Sequence, residues 1–349
     1  MTTFSALTPD IGDICRTVLG RTAVTFAPIG TGRNSRVFRV DLLPDASELQ
    51  TVVIKFYRRD PFDTRDRLGV EFGGLRFLWQ NGVRRIAQPI GADRERYCGV
   101  YAFIEGAALE AVAAPDIDDA VAFLASLKPL RGRPGSEGLP AASEAEFSIA
   151  TIANAIDRRL ERLRASPSDG DGVLLHEWIH EVLEPLRHDV HAWCRHEAAR
   201  SGVPFDVELE PPQRILSPSD FGFHNGIREP GGGLSFVDFE YFGWDDPAKT
   251  AADFVLHPGM ALDPQSGQQF MHAFLTAFAD IAGLWDRTRI VYPLFGMKWC
   301  LIVLNDFLPG RATTVPAGEL SAVRRAQLAK ADALAARIKR EYQSNPYIL

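Results

Sequence analysis

Ser217-Pro218-Ser219-Asp220-Phe221-Gly222-Phe223-His224-Asn225, and then Phe236-Val237-Asp238-Phe239-Glu240, is the stretch on which the reading of this chain turns. Asp220 stands five residues before Asn225, and Asp238 ends a short apolar, strand-like run. The intervening 226–233, with Glu229-Pro230-Gly231-Gly232-Gly233 at its tip, has the turn chemistry of a hairpin connection, which would fold Asp238 back beside Asn225. One carboxylate to orient or deprotonate a hydroxyl, plus an amide and a second carboxylate for magnesium, is the set that phosphoryl transfer from a nucleotide requires.

The rest of the chain sets limits. At 349 residues it holds one large domain or two modest ones. Acidic residues exceed basic ones, 45 against 38, and there is no basic stripe interleaved with aromatics, so no nucleic-acid partner is expected. The first residues lack a basic start followed by an apolar run, and no apolar run reaches membrane-spanning length, the longest lying around 300–304. The expectation is a cytoplasmic protein without a membrane partner. Cys15, Cys98, Cys194 and Cys300 are scattered and form no CxxC pair, which fits reduced, buried thiols.

Up to residue 105 the chain reads as strand-rich. Segments 24–29, 37–42, 51–57 and 100–104 are β-branched and aromatic runs, and a helix over 65–80 is stopped by Asn81-Gly82. From residue 106 the pattern is helical. Helices are predicted over 117–127, over 143–165 with Ser143 and Glu146 as a capping box, and over 174–200. The last of these carries Leu175, Ile179, Val182, Leu186, Val190 and Trp193 as a stripe and should be kinked or interrupted by Pro185; a final helix covers 321–342. The expected architecture is α+β, with 1–105 as a nucleotide-binding lobe and 106–349 as a helical lobe for catalysis and acceptor binding.

Between the first two strands, Gly30-Thr31-Gly32-Arg33-Asn34-Ser35 offers backbone donors to phosphate, with Ser35 where a third glycine would complete the pattern. A tight hairpin without further function reads the same way. Lys55 ends the apolar run Val52-Val53-Ile54, where a lysine either snorkels to water or meets phosphates. Glu71 shares a helical face with Leu75 and Leu78, points inward and wants a cation, with Asp63 and Asp66 as rivals for that role.

The glycine hairpin, Lys55, Glu71, Phe103-Ile104-Glu105-Gly106, Asp220 to Asn225 and Asp238-Phe239-Glu240 occur in the order found in the aminoglycoside phosphotransferase and choline kinase-like family. The chain resembles that family over about 24–253. The resemblance implies a two-lobed protein-kinase-like fold, with a small antiparallel β-rich N-lobe and a larger, mostly helical C-lobe. It implies ATP or GTP as donor, Asp220 as catalytic base, and Asn225 and Asp238 as ligands of Mg²⁺. It also implies that 101–105, with Phe103 and Glu105, is the hinge meeting the nucleotide base, and that Asp253 is structural. One departure stands out: the family's His-Gly before the catalytic aspartate is Pro218-Ser219 here, which bears on the geometry of that loop.

His176-Glu177-Trp178-Ile179-His180 matches the zinc-protease pattern and also the polar flank of an amphipathic helix. Glu240, Asp245 and Asp246 are candidates for a cationic acceptor, for solvated loop charges or for helix caps, and Tyr241, Trp244 and Trp299 for an acceptor pocket or for core. His224 is read as a packing residue. The function expected is a magnesium-dependent kinase that moves the γ-phosphoryl of ATP or GTP to a hydroxyl of an amino sugar, amino alcohol or sugar-like acceptor. The alternatives are a nucleotide-binding pseudokinase and, third, a zinc metalloprotease.

Overall fold

The computed structural model describes residues 10–32, 34–45, 49–59, 63–260, 262–309 and 318–348. The chain forms two compact units. One takes the chain up to Leu109 together with Gly132–Pro140 and Asn225–Gly243; the other takes Glu110–Arg131, Ala141–His224 and everything from Trp244 on.

In the first unit, a short helix α1 (Ile11–Ile14) and a π-helical turn lead into β1 (Ala23–Thr31), β2 (Ser35–Leu42) and β3 (Thr51–Tyr57). Helix α2 (Arg67–Gln80) then precedes β4 (Pro89–Asp93) and β5 (Cys98–Ala102), and the five strands form one antiparallel sheet in the order β1-β2-β3-β5-β4. Strand parity decides which side chains share a face. Phe38, Val40, Leu42, Val52, Ile54, Cys98 and Val100 pack with Ile11, Ile14 and Cys15 into one core. Lys55, Tyr57 and Tyr101 have the opposite parity and are nonetheless buried, so both faces of the central strands are covered. Asp66 caps α2 by accepting from the Gly69 amide at 2.9 Å. Strand β4 escaped the sequence reading because Pro89-Ile90-Gly91-Ala92-Asp93 has neither alternation nor β-branched density.

Two further segments complete this unit. Strand β6 (Ala107–Ala108) pairs with β8 (Gly226–Arg228), and β8 with β9 (Leu234–Phe236), as the hairpin expected over 226–233. The second unit contains α3 (Ala114–Ser126), α4 (Ile149–Arg164), α5 (Asp171–Trp178), α6 (Glu184–Ser201), β7 (Ile215–Ser217), β10 (Gly243–Asp245), α7 (Pro247–Leu256), α8 (Pro264–Ala277), α9 (Leu284–Val303) and α10 (Leu320–Glu341). Helix α9 is its centre and packs on α4, α6, α7 and α10.

Three sequence expectations need correction or refinement. The helix expected from Ser143 begins at Ile149: Glu144 has a left-handed backbone (φ +65°), and the cap is the reciprocal pair Ser148 and Thr151. The irregularity expected at Pro185 falls just before it: a π-helical turn, Ile179–Leu183, joins α5 to α6 and places the proline, which has no N–H to donate, in the first turn of α6. Last, one helix, Leu284–Phe307, is long and apolar enough to cross a membrane, with mean hydropathy 1.3. Its apolar stretch is 78% buried within the protein, and Arg287 and Lys298 are buried along it, so it is a core helix here.

Gly106 joins β5 to β6 at φ +155°, and a Cβ there would lie 2.3 Å from the Arg228 carbonyl oxygen. Gly106→Ala is expected to cost about 2–3 kcal/mol, since neither the backbone torsion nor the β6–β8 pairing can yield cheaply. Urea denaturation checks this, and a variant as stable as the parent would show that the pairing is dispensable.

Candidate functional site

Lys55 is the organising side chain of the first unit. Its ammonium donates to Glu71 Oε2 at 2.7 Å and to Asp238 Oδ1 at 2.6 Å, and Glu240 Oε2 lies 4.0 Å away. Glu71 reaches it because the first turns of α2 point that face inward; Asp238 reaches it because the β8–β9 hairpin returns, with the Val237 amide donating to the Asn225 carbonyl at 3.0 Å. Asp238 has φ +67°, a conformation that aspartate tolerates better than most residues. Tyr57 donates to Glu71 Oε2 at 2.8 Å and shares a 2.8 Å hydrogen bond with Tyr101, while the Phe239 amide donates to Glu71 Oε1. Burial alone would strip the charge from Lys55, but Glu71, Asp238 and Glu240 outweigh it and hold the ammonium protonated. Burial raises the carboxyls of Glu71 and Glu240 above their usual range, against the pull of Lys55.

Glu240 is tied down by groups the sequence did not announce. Arg67 donates to its Oε1 at 2.6 Å and Asn34 at 2.8 Å, while Asn34 also donates to the Tyr241 hydroxyl. Arg65 and Arg67 both bind Asp63 and lie over the Tyr241 ring. The rivals for Lys55 are therefore resolved: Asp63 serves the two arginines, Asp66 caps α2 and binds Arg94, and Glu71 takes the lysine. Glu240 Oε2 is buried without a hydrogen-bond donor, and ligand oxygens of Glu71, Asp238 and Glu240 lie within 4.8 Å of one another. Three cations, Lys55, Arg65 and Arg67, face four carboxylates, Asp63, Glu71, Asp238 and Glu240. Lys55 stands among Glu71, Asp238 and Glu240, so Asp238, with its side chain 37% exposed, is the one of the three open to a hard divalent cation such as magnesium.

The remaining residues of this unit are placed as follows. Gly32 closes the β1–β2 turn, its amide donating to the Ser35 carbonyl at 3.0 Å, and Ser35 itself opens β2 opposite Tyr57 and is buried. A Cβ at Gly30 or Gly32 would meet nothing closer than 3.7 Å, so packing does not demand glycine there. Phe103 leaves the sheet after β5, its amide donating to the Thr51 carbonyl and its ring under the Arg39 guanidinium; Glu105 is exposed.

In the second unit, Asp220 follows β7 in a short loop. His224 Nε2 and His257 Nε2 approach the same oxygen, Asp220 Oδ1, at 3.2 and 3.4 Å. Burial works to raise the Asp220 carboxyl, yet these two donors prevail and hold it well below the usual carboxylate range. His224 is thus more than the packing residue expected, and His257 was not singled out by the sequence at all. Ser219, standing where the resembled family has glycine, takes the left-handed backbone glycine would favour (φ +70°). It is held there on three sides: its amide donates to Ser217 Oγ, its hydroxyl donates to the Ser143 carbonyl, and Lys249 donates to its hydroxyl at 2.9 Å. Lys249 is fully buried and paired with Asp245 at 2.7 Å and Asp253 at 3.3 Å.

These pairings reassign the acceptor candidates. Glu240 serves Arg67 and Asn34, Asp245 serves Lys249, and Asp246 caps α7 and binds Arg287 at 2.7 Å. Trp244 packs among Leu124, Leu127, Ile215 and Phe278, whereas Trp299 donates to Asp253 and sets its edge on His257. Of the zinc-protease pattern, His180 is exposed beside Glu184 and His176 faces Ser166 Oγ at 3.5 Å. Among the described residues, neither histidine joins a group of metal-ligating side chains.

The fold is shared with solved small-molecule phosphotransferases. Spectinomycin phosphotransferase in complex with ADP and spectinomycin matches with a TM-score of 0.63 at 11% identity, over 94% of this chain and 97% of that one. The choline kinase LicA from Streptococcus pneumoniae matches at 0.56 and 15%, over 94% and 98%. A choline/ethanolamine kinase family protein from Mesorhizobium loti matches at 0.54 and 17%, over 92% of each chain. No protein-family model and no curated protein matches the sequence. At these identities the likeness is one of fold, and the fold is the α+β kinase-like one expected.

The Ser219 account predicts an order of stabilities. Ser219→Ala keeps the backbone strain and loses the hydroxyl, whereas Ser219→Gly loses the hydroxyl but relieves the strain. The alanine variant should be the less stable by about 1 kcal/mol in urea denaturation. The reverse order would refute strain at this position.

Proposed function

We propose that this protein is a phosphotransferase that moves the γ-phosphoryl group of a nucleoside triphosphate to a hydroxyl of a small molecule. The observation that carries the reading is Lys55, buried and bonded at once to the helix carboxylate Glu71 and the loop carboxylate Asp238. On a kinase-like fold, a lysine so held is placed to donate to phosphate oxygens, and Asp238, whose side chain is 37% exposed, can meet a metal from its open side. Asn225 and Asp238 would hold magnesium, which when bound neutralises the phosphate charge. Glu71 keeps Lys55 from following the phosphates out of register.

Asp220, held ionised, takes the proton of the acceptor hydroxyl as its oxygen forms the bond to the γ-phosphorus. The bond from that phosphorus to the bridging oxygen breaks, and the nucleoside diphosphate leaves with the electron pair. Little covalent work falls to the protein, so positioning and charge neutralisation supply the rate. Acceptors of fold relatives include spectinomycin, choline and ethanolamine. Because Glu240, Asp245 and Asp246 are already paired within the protein, a sugar-like, hydroxyl-rich acceptor suits this chain better than a cation.

Thermal melting with ATP or GTP, with and without magnesium, tests the reading. A triphosphate with magnesium at about a hundred times its dissociation constant should stabilise by about 2.7 kcal/mol. Asp238→Asn should lose the magnesium-dependent part, and Asp220→Asn should keep it while abolishing transfer in a screen of sugars, spectinomycin, choline and ethanolamine. No stabilisation by either nucleotide would reject the proposal.

A further inference from the structure

His257 lies at the end of α7, distant in sequence from the Asp220 loop, and no sequence pattern marks it. Its surroundings are nevertheless specific. The Gly259 amide donates to His257 Nδ1 at 3.1 Å, so Nδ1 is the accepting nitrogen and Nε2 carries the hydrogen. That Nε2 faces Asp220 Oδ1, and the ring is stacked on His224, with centroids 4.1 Å apart and planes 2° from parallel. Trp299 meets it in a perpendicular, edge-to-face contact with centroids 4.5 Å apart and is anchored by its indole N–H on Asp253 at 2.9 Å. The 257–260 turn is also packed into the Asp220 loop. The Phe223 amide donates to Met260 Sδ at 3.0 Å, and a Cβ on Gly222 would come within 2.3 Å of that sulfur and 2.8 Å of His224 Nδ1.

Two imidazoles and one carboxylate also suggest a transition-metal site, but the rings exclude it. Their in-plane lone pairs run parallel in planes separated by the stacking distance and do not converge on one ion. Two N–H groups side by side suit two donors to one oxygen.

We propose that His257 is a positioning residue for the catalytic carboxylate. With its tautomer set by Gly259 and its ring held by the stack on His224 and the perpendicular contact with Trp299, it fixes the rotation of the Asp220 carboxylate towards the acceptor hydroxyl. The proposal rests on the phosphotransfer reading for its effect on rate, while the contact itself is independent of that reading.

His257→Phe preserves the stack and removes the donor; His257→Gln returns an N–H near the place of Nε2. Magnesium-ATP turnover is measured with the acceptor that the screen identifies, or with water as the acceptor where it identifies none. His257→Phe should lower kcat by about 10- to 100-fold with KM for ATP within about twofold, and His257→Gln should recover most of the loss. A kcat within about twofold of the parent, or a loss confined to KM, overturns the positioning role. ¹⁵N resonances of the histidines need no turnover. His257 should carry its hydrogen on Nε2, and its signal should move in Asp220→Asn; hydrogen on Nδ1 alone, or no response, overturns the contact. An enzyme inactive with every acceptor would reject the phosphotransfer reading and leave the contact to be decided by the resonances alone.

Discussion

A buried ammonium dictates much of the first unit. Taking Lys55 out of water costs several kcal/mol, and only carboxylates in good geometry offset that cost. Those carboxylates come from segments 16 and 183 residues away, so α2 must pack its first turns under the sheet and the β8–β9 hairpin must return to it. The requirement propagates outward. Glu71 needs Tyr57 and the Phe239 amide to occupy its oxygens, and Glu240, drawn into the same space, needs Arg67 and Asn34. Lys55, Tyr57 and Tyr101 lie on the sheet face that strand parity leaves opposite the apolar core.

The second unit solves a similar problem with a different set of charges. Lys249 is buried among Asp245, Asp253 and Ser219, and it stabilises the loop carrying Asp220 rather than facing a ligand. Both carboxylates assigned to the chemistry adjoin left-handed backbone: Asp238 adopts it and Ser219 precedes Asp220 in it. Such conformations persist only where the surroundings over-determine them, and here partly buried hydrogen bonds do so.

Much of this was legible in the sequence, for physical reasons. Lys55 and Glu71 could be paired because strand and helix periods fix which face a side chain takes, and the hairpin before Asp238 because glycine-rich turn chemistry is local. What stayed hidden depends on tertiary contacts. Arg67 reads like any exposed helix arginine until Glu240 arrives from 173 residues away, and His257 acquires its role from Gly259 on one side and Asp220 on the other. The match at Ser143 and Glu146 was a true capping pattern that lost to a competing constraint. Ala142 donates to the Trp244 carbonyl, Glu144 turns left-handed, and the helix has to wait for Ser148.

The pairing of Ala107 with Arg228 makes the first unit discontinuous, with half of the second unit threaded between its parts. In synthesis from the N-terminus, the five-stranded sheet and α2 are complete long before β8 and β9 leave the ribosome. Until then Lys55 has Glu71 but not Asp238, and β6 has no partner strand. The entropic charge for closing so long a loop grows only slowly with its length, so the late contact is thermodynamically accessible, but it is non-local and therefore slow. The Lys55 constellation is thus among the last parts of its own unit to assemble, and a nascent chain can hold a well-formed sheet while its buried lysine still lacks half of its carboxylate partners.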